Sequence, residues 1–143
     1  MLNWKRSLPV MLFFLSGSLA YAQISPADAI TGTWLTADKS GQISIFRKGQ
    51  AYYGRIKGGT SDQHFDIHNP DRKRRNDSLV GLVILKGFVF DGSDRWTEGS
   101  IYDPKNGKTY SCILSMPDKN TLRIRGYIGF TWLGRTETWK RID

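Results

Sequence analysis

Apolar and polar positions alternate along the chain in short runs, and Gly, Asp, Asn and Pro separate the runs. A period of two broken by turn-forming residues is the pattern of β-strands. Residues 42–47 set Ile43 and Ile45 against polar neighbours, and residues 51–57 send Tyr52 and Ile56 one way and Arg55 and Lys57 the other, as a half-buried strand does. Residues 79–90 are more continuously apolar, which predicts a central strand or two strands meeting at Gly87. Further runs at 32–36, 95–102, 109–116, 121–128 and 132–142 bring the expected count to about eight. Two stretches admit helix: a single turn over 26–30 closing one end, and an exposed turn or solvated loop over 69–75, which has capping residues but no apolar stripe. An antiparallel meander of this kind removes its edges most completely by closing into an up-and-down barrel, with a β-sandwich as the alternative.

The start of the chain follows a different pattern. Lys5 and Arg6 precede the apolar run Val10-Met11-Leu12-Phe13-Phe14-Leu15, and Ala20-Tyr21-Ala22 follows, which are the three parts of a secretory signal peptide. Residues 1–22 are therefore expected to be removed after Ala22, leaving a single domain over 23–143, periplasmic or secreted. The apolar run is too short to span a bilayer, and no later segment is long enough. Removing Lys5 and Arg6 lowers the formal charge from +8 to +6. The single Cys112 rules out an internal disulfide, and it alternates in phase with Tyr110, Leu114 and Met116, so it is expected as a buried thiol. Stability then has to come from packing, for which Trp, Tyr and Phe supply the bulk.

Gly32-Thr33-Trp34 on the first strand, after a short turn, resembles the lipocalin-like (calycin) group. That resemblance implies a Trp closing the barrel base beneath a basic side chain of the last strand, for which Arg141 and Arg135 are the candidates. A broader resemblance rests on Asn69-Pro70-Asp71, Gly81-Leu82-Val83-Ile84-Leu85-Lys86-Gly87-Phe88, the stretch from Gly99 to Tyr110, Arg125-Gly126-Tyr127-Ile128-Gly129, and Gly134-Arg135-Thr136-Glu137-Thr138-Trp139, in that order. Together these resemble the bacterial exported family known as domain of unknown function 2147. The resemblance implies an extracytoplasmic β-barrel and brings no activity with it.

Candidate chemistry is sparse. Asp103-Pro104-Lys105-Asn106-Gly107-Lys108 reads as a tight hairpin turn, and Asp91-Gly92-Ser93-Asp94 as a turn lacking the spacing of a calcium loop. Tyr102, Asp103 and Tyr110 flank the first of these and could form a polar rim at a ligand mouth. In His64-Phe65-Asp66-Ile67-His68 an extended backbone would project His64, Asp66 and His68 to one side as metal ligands. Arg72-Lys73-Arg74-Arg75, with Arg123 and Arg125 on another strand, could attract anionic lipid; export argues against nucleic acid. No nucleophile elbow, phosphate loop, Ser-His-Asp arrangement or Cys-x-x-Cys is present, and no cofactor is implied. Three classes stay open. The preferred one is a binding module that takes a small apolar or amphipathic molecule. The others are an envelope interaction protein acting through a basic surface, and a metal-dependent enzyme at His64 and His68.

Overall fold

The computed structural model describes residues 17, 18, 20, 22–130 and 133–143. The basic and apolar parts of the segment expected to be a signal peptide lie outside the described residues, as does Trp132. Eight antiparallel strands run in sequence order and close on themselves: β1 Gly32–Leu35, β2 Gly41–Lys48, β3 Ala51–Gly59, β4 Val83–Phe90, β5 Arg95–Asp103, β6 Lys108–Asp118, β7 Thr121–Tyr127 and β8 Gly134–Arg141. The closing pairs are Trp34 with Arg141 and Leu35 with Lys140. The expected up-and-down barrel is thus the fold, and the sandwich is not.

The alternating pattern becomes an inside and an outside. Cross-strand partners share a face, so the pairs Trp34–Ile43, Gly54–Leu85, Leu114–Ile124 and Leu122–Trp139 mark the interior. Ile43, Ile45, Leu85, Phe88, Cys112, Leu114 and Leu122 are all buried there. The apolar run at 79–90 forms one strand, β4; Gly87 sits inside it at φ 73° and Leu79 is buried ahead of it. Cys112 is fully buried, and the loss of water around it pushes the thiol up to about 12, so it is an inert small hydrophobe at neutral pH.

In a meander the connections alternate between two ends. One end carries the β2–β3, β4–β5 and β6–β7 turns together with the 3₁₀ turn Pro26–Ile30, which is the helical turn expected there. The other end carries the β1–β2, β5–β6 and β7–β8 connections and the long one from β3 to β4. The stretch at 69–75 contains only the short 3₁₀ turn Arg72–Arg74, capped by the Asp71 carboxylate on the Lys73 amide.

Candidate functional site at the open end of the barrel

The end with the 3₁₀ turn is sealed by the aromatic side chains. Trp34 is fully buried and its Nε1 donates to the Ile30 carbonyl at 2.9 Å, while Trp96 Nε1 donates to the Ala27 carbonyl at 3.0 Å. The Arg141 guanidinium lies 4.3 Å from the Trp34 ring centroid. It also donates to the carbonyls of Thr31 at 2.7 Å, Ala29 at 2.6 Å and Lys119 at 2.8 Å. Gly32 makes this possible, because a Cβ there would collide with the Arg141 guanidinium. The basic side chain over the tryptophan is therefore Arg141. Arg135 begins the same strand at the opposite end, too far away to take part. Tyr52 completes the seal by donating to Asp28 at 2.6 Å; burial and that carboxylate push its phenol up to about 12.

The same inner face has a different character toward the other end. Glu137 pairs with the buried Ile124 and Arg135 pairs with Gly126, so both occupy inward positions, yet both are exposed. Ile56, Ile101 and Tyr110 line this half and are only partly buried. A Cβ at Gly126 would meet nothing closer than Tyr110 Cβ at 3.8 Å, whereas at Gly99 it would overlap the Phe88 ring. The interior is thus filled at one half and cupped at the other. One inward position below Glu137, paired with the buried Leu122, lies Trp139, only 3% exposed, whose Nε1 has no hydrogen-bond partner among the described residues. A buried donor without an acceptor is uncommon in a native fold and calls for an explanation.

The sequence-derived site residues separate in this geometry. Tyr110 faces the cup, and its hydroxyl accepts from Asn106 at 3.1 Å. Tyr102 does not: its hydroxyl donates to Asp66 at 2.6 Å, and burial together with that carboxylate raises its pKa strongly. Asp103 is used by the hairpin turn, where its carboxylate accepts from the Lys105 amide and its carbonyl from the Gly107 amide. The proposed metal ligands are not brought together. The segment turns back at Asp66, where the Asn69 amide donates to the Asp66 carbonyl at 3.0 Å. Asp66 is thereby fully buried against Tyr102 and Asn69, while His64 and His68 stay exposed. Among the described residues no group of three His, Cys, Asp or Glu is placed to hold a metal. Arg135, Glu137 and Trp139 were missed as site residues, although stepping back by twos from Trp139 puts all three on one face.

Loops join up around the cup. Lys105 bridges to Asp38 at 2.6 Å, Gln63 donates to the Pro104 carbonyl at 3.0 Å, and the His68 carbonyl packs against Gly107. A concavity of about 290 Å³ lies on the outer wall between Phe46, Lys48, Tyr53, Arg55, Val83 and Lys86. There the Arg55 guanidinium sits 4.2 Å from the Phe46 centroid.

Residues 32–141 match the model of a family described as an uncharacterized protein conserved in bacteria (DUF2147). Among solved structures, the chain is similar to a protein of the human pathogen Helicobacter pylori described as belonging to the lipocalin family. The TM-score is 0.73 at 26% identity, covering 79% of this chain and 82% of the other. No curated protein matches the sequence.

Proposed function

Because the chain belongs to the bacterial DUF2147 family, whose description prescribes no chemistry, we propose from the geometry of its own barrel that it is an exported, non-catalytic binding protein taking a small amphipathic molecule through the open end. The observation that carries this reading is the unpartnered Nε1 of Trp139, buried one inward position below the exposed Glu137. A ligand acceptor placed there would satisfy the donor, with its apolar body along Ile56, Ile101 and Gly126 and its polar part toward Tyr110, Arg135 and Glu137. The likeness to a lipocalin-family protein is consistent with such a site. Export is supported by the signal-like residues 1–22, which precede the first element of the barrel at Pro26.

Native mass spectrometry of protein purified gently from the cell envelope tests both parts. The expected mass corresponds to a chain cut after Ala22 plus one stoichiometric small molecule, released by organic extraction. Two variants locate that molecule. Gly126→Leu projects a bulky side chain into the cup from a position where a Cβ would make only ordinary contacts with Tyr110 and Ile101, and it abolishes retention. Trp139→Phe keeps the bulk and removes the donor, and it weakens retention about tenfold, the equivalent of one hydrogen bond of about 1.4 kcal/mol. Retention unchanged in both variants overturns the assignment of the cup.

A further inference from the structure

Nine large apolar side chains are exposed among the described residues, and six of them fall on two connections at the open end of the barrel. Phe65, Ile67 and Val80 lie on the connection from β3 to β4, and Ile128, Phe130 and Leu133 on that from β7 to β8; each is more than half exposed. The other three lie toward the sealed end and are scattered there: Ile24 before the 3₁₀ turn, Ile142 after β8, and Val89 near the end of β4. A protein surface seldom concentrates bulky apolar groups in this way unless something covers them.

The same end also carries an unbalanced cluster of cations. Arg72, Lys73, Arg74 and Arg75 are all exposed on the β3–β4 connection. Of that connection's four carboxylates, Asp66 is buried against Tyr102, Asp77 pairs with Arg74 at 3.2 Å, and Asp71 caps the backbone of the turn. Asp62 remains, ten positions before Arg72 in the chain. Among the described residues, Arg72, Lys73 and Arg75 thus have no carboxylate partner.

We infer that the open end docks on an anionic phospholipid surface, with the six apolar side chains entering the interface and the Arg72–Arg75 cluster meeting the headgroups. This pairing of apolar and basic groups is how peripheral proteins hold to membranes: the apolar area supplies most of the affinity and the cations select acidic lipid. Charge complementarity and the concentration of six of the nine exposed apolar groups on two connections of one end both point to this occupant. The inference builds on the cup described above, since docking would present its opening to the lipid from which an amphipathic ligand could be drawn.

The test is cosedimentation of the mature chain with vesicles of phosphatidylcholine alone or containing phosphatidylglycerol. Binding is expected to the anionic vesicles and to fall steeply with salt. Phe65→Ser with Ile128→Ser should reduce binding about tenfold or more, and Arg72→Ser with Lys73→Ser roughly fivefold per cation. These positions are exposed, and an unchanged circular dichroism spectrum confirms that the variants remain folded. Lys48→Ser with Lys86→Ser on the outer wall should leave binding unchanged. The inference is overturned if neither vesicle binds at low salt, or if the outer-wall variant loses binding while the loop variants keep it. Vesicle binding and ligand retention are read separately, so a protein that retains its small molecule without binding vesicles loses this inference alone, and one that binds vesicles empty loses only the cup.

Discussion

The two ends of the barrel are made from the same strands and treat the inward position in opposite ways. At the sealed end it holds Trp34 and Trp96, each with its ring buried and its indole N–H given to a backbone carbonyl of the 3₁₀ turn. At the open end the inward positions of β8 hold Glu137 and Arg135, both in contact with solvent. Strand β8 passes through both regimes within seven residues, from Arg135 through Trp139 to Arg141. A closed barrel has no edges to protect, so one sealed end and a packed half can sustain the fold, leaving the other half free to carry polar groups and loops. The consequence is a division between residues that determine stability and residues that determine binding.

The largest effect should come from the sealed end. Trp34→Ala removes the ring that stacks beneath Arg141 and leaves a cavity, so stability should fall by roughly 3 to 5 kcal/mol. Chemical denaturation measures this. A loss below about 1 kcal/mol would mean that the seal is not what holds the barrel closed.

A matched pair of substitutions compares the two halves with the same chemistry. Gly99→Ala places a methyl group where the Phe88 ring lies, so the core must shift, at a cost of about 1 to 3 kcal/mol. Gly126→Ala places the same group in the cup, where the nearest atoms are at ordinary contact distance, and should change stability by no more than about 0.5 kcal/mol. Equal losses from the two would mean that the open half is packed as tightly as the sealed one.

How much of this could be read from the sequence depends on how local the cause was. Strand positions and faces were legible because alternation and turn chemistry are properties of a few adjacent residues: Ile43 and Ile45 point in and Arg55 points out as their spacing required. The pairing of Trp34 with a basic residue of the last strand was legible through the lipocalin resemblance, but the choice between Arg141 and Arg135 was not. That choice depends on where β8 crosses β1, which is set by the closure of the whole sheet. The reading of His64, Asp66 and His68 as one ligand face assumed extended backbone, but the chain turns at Asp66 to reach Tyr102, thirty-six positions away. Nothing in the periodicity of that segment announces such a contact. The empty donor on Trp139 was likewise invisible, since any buried tryptophan in a β core reads the same.

The smallest effect should come from the open end, at the bridge between Asp38 and Lys105 that ties the β1–β2 and β5–β6 connections together. The hydrogen bond from Lys105, aided by those from Ser40, holds the Asp38 carboxyl well below the usual carboxylate range. Its folded-state pKa is depressed, so the stabilisation is present above the unfolded value of about 3.9 and is lost as pH falls below it toward the folded value. The pKa of Lys105 is raised, with Asp38 the main cause, so on its side the contribution disappears only as pH rises past the ordinary lysine range. Both side chains are about half exposed or more, so solvent screens most of the attraction, and Asp38→Asn should cost under about 1 kcal/mol at neutral pH. The difference between parent and variant should shrink as pH is lowered through the range below about 4, and also on adding salt. A gap that stays constant in acid would mean that the loss comes from the turn hydrogen bonds Asp38 makes to Ser40 rather than from its charge. In that case the loops around the cup are held by turn geometry, and their opening should not respond to pH.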